Sequence, residues 1–202
     1  MAVREKCGVQ ALVVRADVST LEGCHALVDA AKGAFGTDIA VLVNNAGVSQ
    51  TQMFLETPLE RIKEIVDTNL MSMLYLSRLV YPIMVDNGEG CVIDIASVGG
   101  LTGVEGQTVY TATKAGIIGI VKGFTAEFAR YGIRTNAIAP GLTDTDIIKG
   151  LGEEAIAYVK QSNPMKDIGS VDDIVCAMEY LLDARFVSGQ TIVVDGGASV
   201  VG

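Results

Sequence analysis

Short apolar runs alternate with helical patterns along the whole chain of 202 residues. Residues 9–16 form one apolar run. Residues 39–43 form a continuous aliphatic run, which is typical of a strand buried on both faces. Further strands are predicted over residues 91–96, 133–139 and 190–194. Strands that alternate with helices predict βαβ units, and therefore an α/β protein with a parallel sheet between two layers of helices.

Helix-start patterns lie between these strands. Ser19-Thr20-Leu21-Glu22 resembles a capping box and predicts a helix that reaches about Lys32. Thr57-Pro58-Leu59-Glu60 predicts a second helix, which extends to about Asp86 with a bend near Pro82. Three more helices are predicted over residues 108–131, with Gly132 placed to end the helix, over residues 144–160 and over residues 170–183.

Composition bounds the class of protein. Half of the residues are apolar, which is enough for one core, and the chain contains no linker or repeat, so we expect a single domain over residues 1–202. The net charge of −9 argues against nucleic acid or an anionic membrane as a partner. The first residues do not form a signal peptide and no apolar run could span a bilayer. These observations predict a cytoplasmic protein.

The cysteines and the single histidine do not form a chemical site in the sequence. Cys7, Cys24, Cys91 and Cys176 are widely spaced, with no CxxC pair, which favours free thiols over a disulfide framework or a metal site. His25 lies inside a predicted amphipathic helix, where a surface or packing role is expected. A histidine-based catalytic triad is therefore excluded from the prediction.

Polar residues and glycines follow the predicted strands. In open parallel sheets ligands bind beyond the carboxyl ends of the strands, so these positions are candidates for a binding cleft. Asn44-Asn45-Ala46-Gly47 follows the second strand, Ser97 the third and Pro140-Gly141 the fourth. Tyr110 and Lys114 are four residues apart in a predicted helix, which places both side chains on one helical face.

A tyrosine and a lysine on one face can perform acid-base chemistry. A phenol has a pKa of roughly 10, and a nearby ammonium lowers that pKa because it favours the phenolate. The phenol of Tyr110 could then give a proton to a carbonyl oxygen or take one from an alcohol, while Ser97 donates a hydrogen bond to the same oxygen. By itself, however, the pair Tyr110 and Lys114 also fits an ordinary amphipathic helix. Asp94, inside a predicted strand, is expected to be hydrogen-bonded rather than catalytic.

The full set of these residues is more informative than any pair. The residues 44–47, Asn69, Ser97, Tyr110-x-x-x-Lys114 and Pro140-Gly141 occur in this order along the chain. In this set the chain resembles the short-chain dehydrogenase/reductase family, and most of all its 3-oxoacyl-acyl-carrier-protein reductase branch. The resemblance implies a Rossmann-like, doubly wound parallel sheet. It also implies NAD- or NADP-dependent hydride transfer between the nicotinamide and a carbonyl or secondary alcohol, on a small-molecule or acyl-carrier substrate. The sequence leaves open the exact substrate and the choice of NAD or NADP.

The resemblance also implies a role for each residue. Tyr110 would be the general acid-base, and Lys114 would lower its pKa and hold the nicotinamide ribose. Ser97 would orient the substrate carbonyl, and Asn69 would organise a water that links Lys114 to solvent. Asn45 would tie adjacent strands together. The implied cofactor-binding residues are Asp17, Val18, Asn44, Ala46, Gly47, Tyr110, Lys114, Pro140, Gly141, Thr143 and Thr145.

The family usually begins with a strand, a glycine-rich turn, a helix and a second strand, and the turn holds the cofactor pyrophosphate. Only eight residues precede Val9, so we expect a domain truncated at its N-terminus that lacks these two strands and the helix between them. Gly100, Gly103 and Gly106 do not replace the turn, because their spacing is not G-x-G-x-x-G. We expect an aliphatic edge on the strand at residues 39–43 and a Val9 run without a partner. We also expect the truncated chain to bind NADH and NADPH very weakly or not at all, which leaves its own activity undecided.

Two functional hypotheses from different classes remain. The first is the oxidoreductase described above. The second is a non-catalytic remnant that acts as a scaffold or partner subunit, and the absent glycine-rich turn supports it. The presence of Asn69, Ser97, Tyr110 and Lys114 favours the enzyme. The sequence does not decide whether the short N-terminus reflects an incomplete gene prediction, a fragment or a natural loss.

The two longest predicted helices are apolar over more than one face. A surface helix normally buries about 100° of its circumference, so a second apolar face needs a cover. The helix that contains Tyr110 also carries Gly116, Gly119 and Gly123, which would let another helix approach closely. We therefore predict a homo-oligomer, and the resemblance implies a tetramer with an intersubunit four-helix bundle. The alternative is that both faces are buried within one subunit.

Overall fold

The computed structural model describes residues 6–145 and 152–201, and its centre is a sheet of four parallel strands. The strands lie side by side in chain order, and their register places Asn44 opposite Asp94 and Pro140 opposite Val194. The prediction of a parallel α/β sheet is confirmed. The strands are β1 (Val41–Asn44), β2 (Gly90–Ile95), β3 (Ile133–Pro140) and β4 (Thr191–Val194).

Helices lie between successive strands along the chain, as βαβ units require. A π turn at Asp67–Met71 joins the second helix to the third, and short 3-10 turns lie at Phe54–Glu56 and Ala129–Tyr131. None of the helices in the described ranges is both long enough and apolar enough to cross a membrane. The helices are α1 (Leu21–Phe35), α2 (Leu59–Val66), α3 (Ser72–Asn87), α4 (Gly99–Thr102), α5 (Thr108–Phe128), α6 (Glu153–Ser162), α7 (Val171–Asp183) and α8 (Ala198–Val201).

The predicted strand over residues 9–16 is wrong. These residues form no regular structure, and Val9, Leu12 and Val13 are 50%, 47% and 84% exposed. A strand is stable only when a neighbour pairs with its N–H and C=O groups. Strand β1 is the nearer edge of the sheet and pairs with β2 alone within the described residues. The apolar run therefore has composition typical of a strand but no ladder to join.

Two predicted helices also differ from the structure. The helix expected from Thr57 begins at Leu59, because the Thr57 hydroxyl donates to Met53 O instead of capping the helix. Its irregularity is the π turn, whereas Pro82 lies inside a continuous α3. The helix expected over residues 144–160 does not include residues 144–145, and residues 146–151 lie outside the described residues.

Helices cover both faces of the sheet. Along β2, Val92 contacts the layer of α1 and α3, whereas Cys91 and Ile93 contact α7 on the opposite face. Val92 and Ile93 are fully buried, and burial of each such side chain stabilises the fold by roughly 1.5–3 kcal/mol. This alternation confirms the doubly wound architecture. A third cluster packs Ile117 and Val121 of α5 with Ala137 and Ala139 of β3.

The cysteines take no part in cross-links. All four are free thiols, as predicted, with Cys7 and Cys176 exposed and Cys24 and Cys91 buried. Across the described ranges, no group of three or more His, Cys, Asp or Glu side chains could hold a metal ion. His25 is exposed on α1.

Arg134 of β3 ties the sheet to the end of α7. Its guanidinium donates to Leu181 O at 2.7 Å, Leu182 O at 3.0 Å and Ala184 O at 3.1 Å. The last carbonyls of a helix lack partners within the helix and carry partial negative charge. One side chain therefore both satisfies three carbonyls and fixes α7 against β3.

We predict that Arg134→Ala lowers the free energy of unfolding by roughly 2–4 kcal/mol, because hydrogen bonds to a charged group contribute roughly 1.5–3 kcal/mol each and do not add fully. Urea unfolding would measure the change. Arg185→Ala is the matched control, since Arg185 is exposed beside the same helix end. Equal losses in both variants would contradict this account of Arg134.

Candidate active site

The structure brings Ser97, Tyr110 and Lys114 together at the carboxyl end of β2. Ser97 lies two residues after the strand, and the other two residues lie in the first turns of α5. The hydroxyl group of Ser97 lies near enough to the Tyr110 phenol to lower its pKa, and Ser97 Oγ accepts from Gly99 N at 3.1 Å. The Lys114 ammonium donates to Ile95 O at 2.6 Å and lies 5.6 Å from the centre of the Tyr110 ring. The predicted pair on one helical face is thus anchored directly to the strand end.

Gly100 explains how α5 comes so close to this strand end. A Cβ at Gly100 would lie 2.7 Å from both Ala115 N and Lys114 C, which is closer than a real side chain allows. Only glycine lets the short helix α4 pack against the backbone of α5 at this turn. Gly100 therefore serves helix packing, in agreement with the rejection of a phosphate-binding motif at residues 100–106.

Burial dominates the acid-base properties of the two helix residues. It raises the pKa of the Tyr110 phenol above its ordinary value, although the hydrogen bond to Ser97 opposes this effect. It lowers the pKa of Lys114 to about 8, against the opposing effect of Asp94. The lowering of the Tyr110 pKa by Lys114 stays a prediction. In this structure the lost hydration of the phenol outweighs the opposing effects, and the ammonium donates to Ile95 O.

Asn69 lies in the π turn between α2 and α3 and is 2% exposed. Its amide accepts from Val48 N at 2.7 Å and donates to Val48 O at 2.9 Å, and it also donates to Thr113 Oγ1 at 3.3 Å. A π turn widens the helix locally and is frequent at functional sites. Here it presents one side chain to the loop after β1 and to the helix of Tyr110 at the same time. A water held by Asn69 remains a prediction.

Asn44 and Asp94 form a polar pair across β1 and β2, inside the sheet. Asn44 Nδ2 donates to Asp94 Oδ1 at 2.7 Å, whereas Asn45 is exposed. The amide that ties the strands is therefore Asn44, and the expectation for Asn45 is wrong. Asp94 is hydrogen-bonded, as predicted, and fully buried. Burial raises its pKa to about 6, while the bond from Asn44 and the charge of Lys114 act in the opposite direction.

The residues expected on the adenosine side lie at the open edge of the sheet. Val18, Asn44 and Ala46 line one cavity of about 160 Å³, which also reaches Asn69. Gly47 lies beside this cavity, where a Cβ would be 3.3 Å from Asn69 Oδ1 and 3.7 Å from Lys114 Nζ. Asp17 is exposed at the start of α1. Its carboxylate accepts from Ser19 N and Ser19 Oγ, and these bonds lower its pKa.

The residues expected near the nicotinamide follow β3. Pro140 ends the strand, and Gly141 N donates to Val194 O at 2.9 Å. A Cβ at Gly141 would lie 2.8 Å from the Cβ of Asp195, so the two strand ends can approach only because this residue is glycine. Thr143 Oγ1 donates to Gly141 O at 3.2 Å, and Thr145 Oγ1 donates to Thr143 O at 3.4 Å. All four residues therefore border the same strand-end cleft as Ser97.

Two residues near the site were missed by sequence analysis. Gln50 is 3% exposed and hydrogen-bonded to the first turn of α5, and Arg61 donates to Ser49 O at 2.6 Å. Both hold the loop after β1. Neither belongs to a motif or to an apolar period, since a polar loop residue is normally solvated. The burial of Gln50 depends on a helix that begins 58 residues further along the chain.

The comparisons with known proteins agree with this geometry. The profile of a family described as enoyl-(acyl carrier protein) reductase matches residues 1–199. The chain is 37% identical to nodulation protein G of Azospirillum brasilense over 196 residues, which are 96% of this chain and 79% of that protein. It is 37% identical to 3-oxoacyl-(acyl-carrier-protein) reductase of Haemophilus influenzae over 183 residues, covering 90% of this chain and 75% of that protein.

Solved structures give the same result. A 4-hydroxyisoleucine dehydrogenase complexed with NADH matches with a TM-score of 0.85 and 31% identity, over 94% of this chain and 82% of that one. A gluconate 5-dehydrogenase of Burkholderia cenocepacia, in complex with NADP and tartrate, matches with a TM-score of 0.87 and 29% identity, over 92% and 74% of the two chains.

The fold and the strand-end cleft define a nicotinamide-dependent oxidoreductase of the Rossmann-like class. The chain belongs to the short-chain dehydrogenase/reductase family, and it is similar to the 3-oxoacyl-(acyl-carrier-protein) reductases within that family.

The buried carboxyl of Asp94 predicts a stability that depends on pH. Its pKa of about 6 in the folded protein exceeds its ordinary value of 3.8, so its ionisation destabilises the fold as pH rises between these values, and the full effect is present above about pH 6. Asp94→Asn removes this cost. The variant should gain roughly 1–3 kcal/mol relative to the parent between about pH 4 and about pH 8, partly offset by lost support of the Lys114 charge.

Urea unfolding at the two pH values would measure this difference. Asp29→Asn is the control, because Asp29 is exposed on α1. A difference between parent and Asp94→Asn that does not change with pH would show that the buried carboxyl keeps its ordinary pKa.

Proposed function

We propose that this protein catalyses reversible hydride transfer between NADH or NADPH and a carbonyl or secondary alcohol, with a 3-oxoacyl thioester as the substrate class. The observation that carries the proposal is the placement of the Ser97 and Tyr110 hydroxyl groups close together at the carboxyl end of β2, with the buried Lys114 ammonium 5.6 Å from the Tyr110 ring. These two hydroxyl groups can both donate to one carbonyl oxygen.

Tyr110 acts as the acid in reduction. Because burial raises the pKa of its phenol, Tyr110 remains protonated at neutral pH. This is the form that can give its proton to the substrate oxygen as negative charge develops there. Ser97 donates a second hydrogen bond to that oxygen and orients the carbonyl. In the reverse direction the phenolate of Tyr110 takes the proton from the alcohol.

Lys114 fits the ribose of a nicotinamide cofactor. An ammonium has three donors, and within the described residues that of Lys114 uses one, on Ile95 O. The remaining donors can hold ribose hydroxyls beside Tyr110. Asp17 and Val18 would contact the adenine. The rest of the cofactor would lie along the strand ends, held by Asn44, Ala46, Gly47, Pro140, Gly141, Thr143 and Thr145. When bound, the cofactor supplies or accepts the hydride.

The names of two relatives support the substrate class. One is the Haemophilus influenzae 3-oxoacyl-(acyl-carrier-protein) reductase, and the other is an acetoacetyl-CoA reductase of Acinetobacter, which is 33% identical over 186 residues. Both names denote reduction of a 3-oxoacyl thioester. The fit of this chain rests on Ser97 and Tyr110, which recognise the carbonyl and not the carrier.

We also propose that the protein is a homo-oligomer, specifically a tetramer, built on α3 and α5. A groove of about 640 Å³ runs between these helices, and its lining includes Leu74, Tyr81, Phe124 and Phe128. Gly119 and Gly123 of α5 face open space, with nothing within 4 Å of a Cβ placed on either residue. A helix of a second copy could therefore approach α5 closely.

We predict that Tyr110→Phe lowers kcat for reduction of acetoacetyl-CoA by roughly 100- to 10,000-fold, because only the proton donor is lost. The apparent affinity for the cofactor should stay within about twofold, since the ring remains. Lys114→Ala should weaken both cofactor binding and turnover. Loss of NADH or NADPH absorbance follows the reaction.

Tyr180→Phe is the matched control, because Tyr180 is exposed on α7. Retention of most activity by Tyr110→Phe would refute its role as the acid. Turnover of gluconate but not of acetoacetyl-CoA would support hydride transfer as the reaction and reject a thioester as the substrate.

We predict that Gly119→Arg converts the tetramer to smaller species without unfolding the subunit, because the new side chain occupies the space that a second helix needs. Light scattering at micromolar concentration measures the mass. Gly33→Arg is the control, since Gly33 also lies in a helix with open space around it but on α1. A monomeric parent protein, or an unchanged mass for Gly119→Arg, would reject this interface.

A further inference from the structure

Gln50 is a buried amide whose hydrogen-bonding capacity is fully used. Its Oε1 accepts from Val109 N at 3.0 Å and from Tyr110 N at 3.4 Å. Its Nε2 donates to Thr57 Oγ1 at 2.9 Å and to Gln52 O at 3.1 Å. A carboxamide offers two accepting and two donating positions, and all four are occupied here. The side chain is therefore fixed in one orientation, at 3% exposure.

The position of these bonds on α5 is that of a helix cap. The first N–H groups of a helix have no partner within the helix, and a capping side chain normally accepts from the second or third residue. Gln107 occupies the N-cap position of α5 and makes no such bond with its side chain. Gln50 accepts from the second and third residues, Val109 and Tyr110, and thus caps this helix from 59 residues earlier in the chain.

The loop that carries Gln50 is itself held on both sides. Asn69 pairs with both backbone groups of Val48, and Arg61 donates to Ser49 O. Three successive residues are thus held by three different segments, the π turn, α2 and the start of α5. Because this loop continues directly from Asn44 and Gly47, it links the expected cofactor segment to the first turn of α5.

On the basis of the proposed function, we propose that Gln50 is a positioning residue for Tyr110, which holds the first turn of α5 so that the phenol meets Ser97. Gln50 itself touches neither Ser97 nor the reacting oxygen. Its contribution is geometric, since a reacting group that is misplaced by about 1 Å can lose roughly 100-fold in rate.

The Gln50→Met variant removes all four hydrogen bonds at nearly constant volume. We expect kcat for acetoacetyl-CoA reduction to fall by roughly 10- to 100-fold, with the KM for the cofactor within about twofold. Gln52→Met is the matched control, because Gln52 is exposed in the same loop. A single cooperative thermal transition, with a midpoint below that of the parent protein, would verify that the variant is folded. A folded Gln50→Met protein that keeps kcat within about twofold would overturn the proposal.

A second variant tests the contact without turnover. Gln50→Glu keeps the accepting oxygen and adds a negative charge next to the backbone of Tyr110, where the helix N-terminus favours an ionised carboxylate. The charge should raise the pH at which Tyr110 ionises, relative to Gln52→Glu. Ultraviolet difference titration against the Tyr110→Phe background measures that midpoint. Lys114, whose ammonium lies 5.6 Å from the centre of the Tyr110 ring, and Asp94, whose charge acts on Lys114, are unchanged in these variants.

The two measurements separate the possible failures. If the parent protein turns over no carbonyl, the proposed function fails, and the titration still decides whether Gln50 faces Tyr110. If Gln50→Met does not fold, the Gln50→Glu titration decides. Equal midpoints for Gln50→Glu and Gln52→Glu would overturn the positioning role.

Discussion

The hydrogen bond from the Lys114 ammonium to Ile95 O is the interaction on which the site depends. This bond of 2.6 Å joins the helix that carries Tyr110 to the last residue of β2, and Lys114 is only 4% exposed. An ammonium so far from water is stable only with partners, and burial already lowers its pKa to about 8. The carboxyl of Asp94 on the same strand opposes that shift. The acid-base site and the polar interior of the sheet are therefore one electrostatic unit, in which a change at Asp94 alters Lys114.

The loop after β1 is the second constraint on the site. Asn69 binds Val48 and Arg61 binds Ser49, and the next loop residue, Gln50, accepts from the first turn of α5. Each of these bonds involves a backbone N–H or C=O group. Buried backbone N–H and C=O groups require partners, so the loop cannot shift without breaking several bonds at once. This arrangement gives a loop the rigidity of a regular element. It also explains why a π turn, which would otherwise weaken a helix, is kept where Asn69 is needed.

The sequence predicted most of the architecture correctly. The strands β1 to β4, the long helix of Tyr110 and the cap of α7 at Ser170 follow from apolar periodicity and capping patterns, which are local properties of the chain. The run at residues 9–16 shows where this logic ends. Its composition is that of a strand, but a strand exists only in a ladder, and β1 has no neighbour on that side within the described residues. The same limit applies to Thr57, whose hydroxyl is engaged by Met53 and Gln50 and so does not cap α2.

By itself the sequence determined the class of fold and the chemical groups at the strand ends, because Ser97, Tyr110 and Lys114 are set by short-range spacing and by the topology of parallel sheets. The tertiary structure alone decided how those groups behave. It raised the pKa of Tyr110 and lowered that of Lys114, since desolvation depends on everything packed around a side chain. It also assigned the strand-tying amide to Asn44 and the helix cap to Gln50, because both bonds join residues that are 50 or more positions apart in the chain.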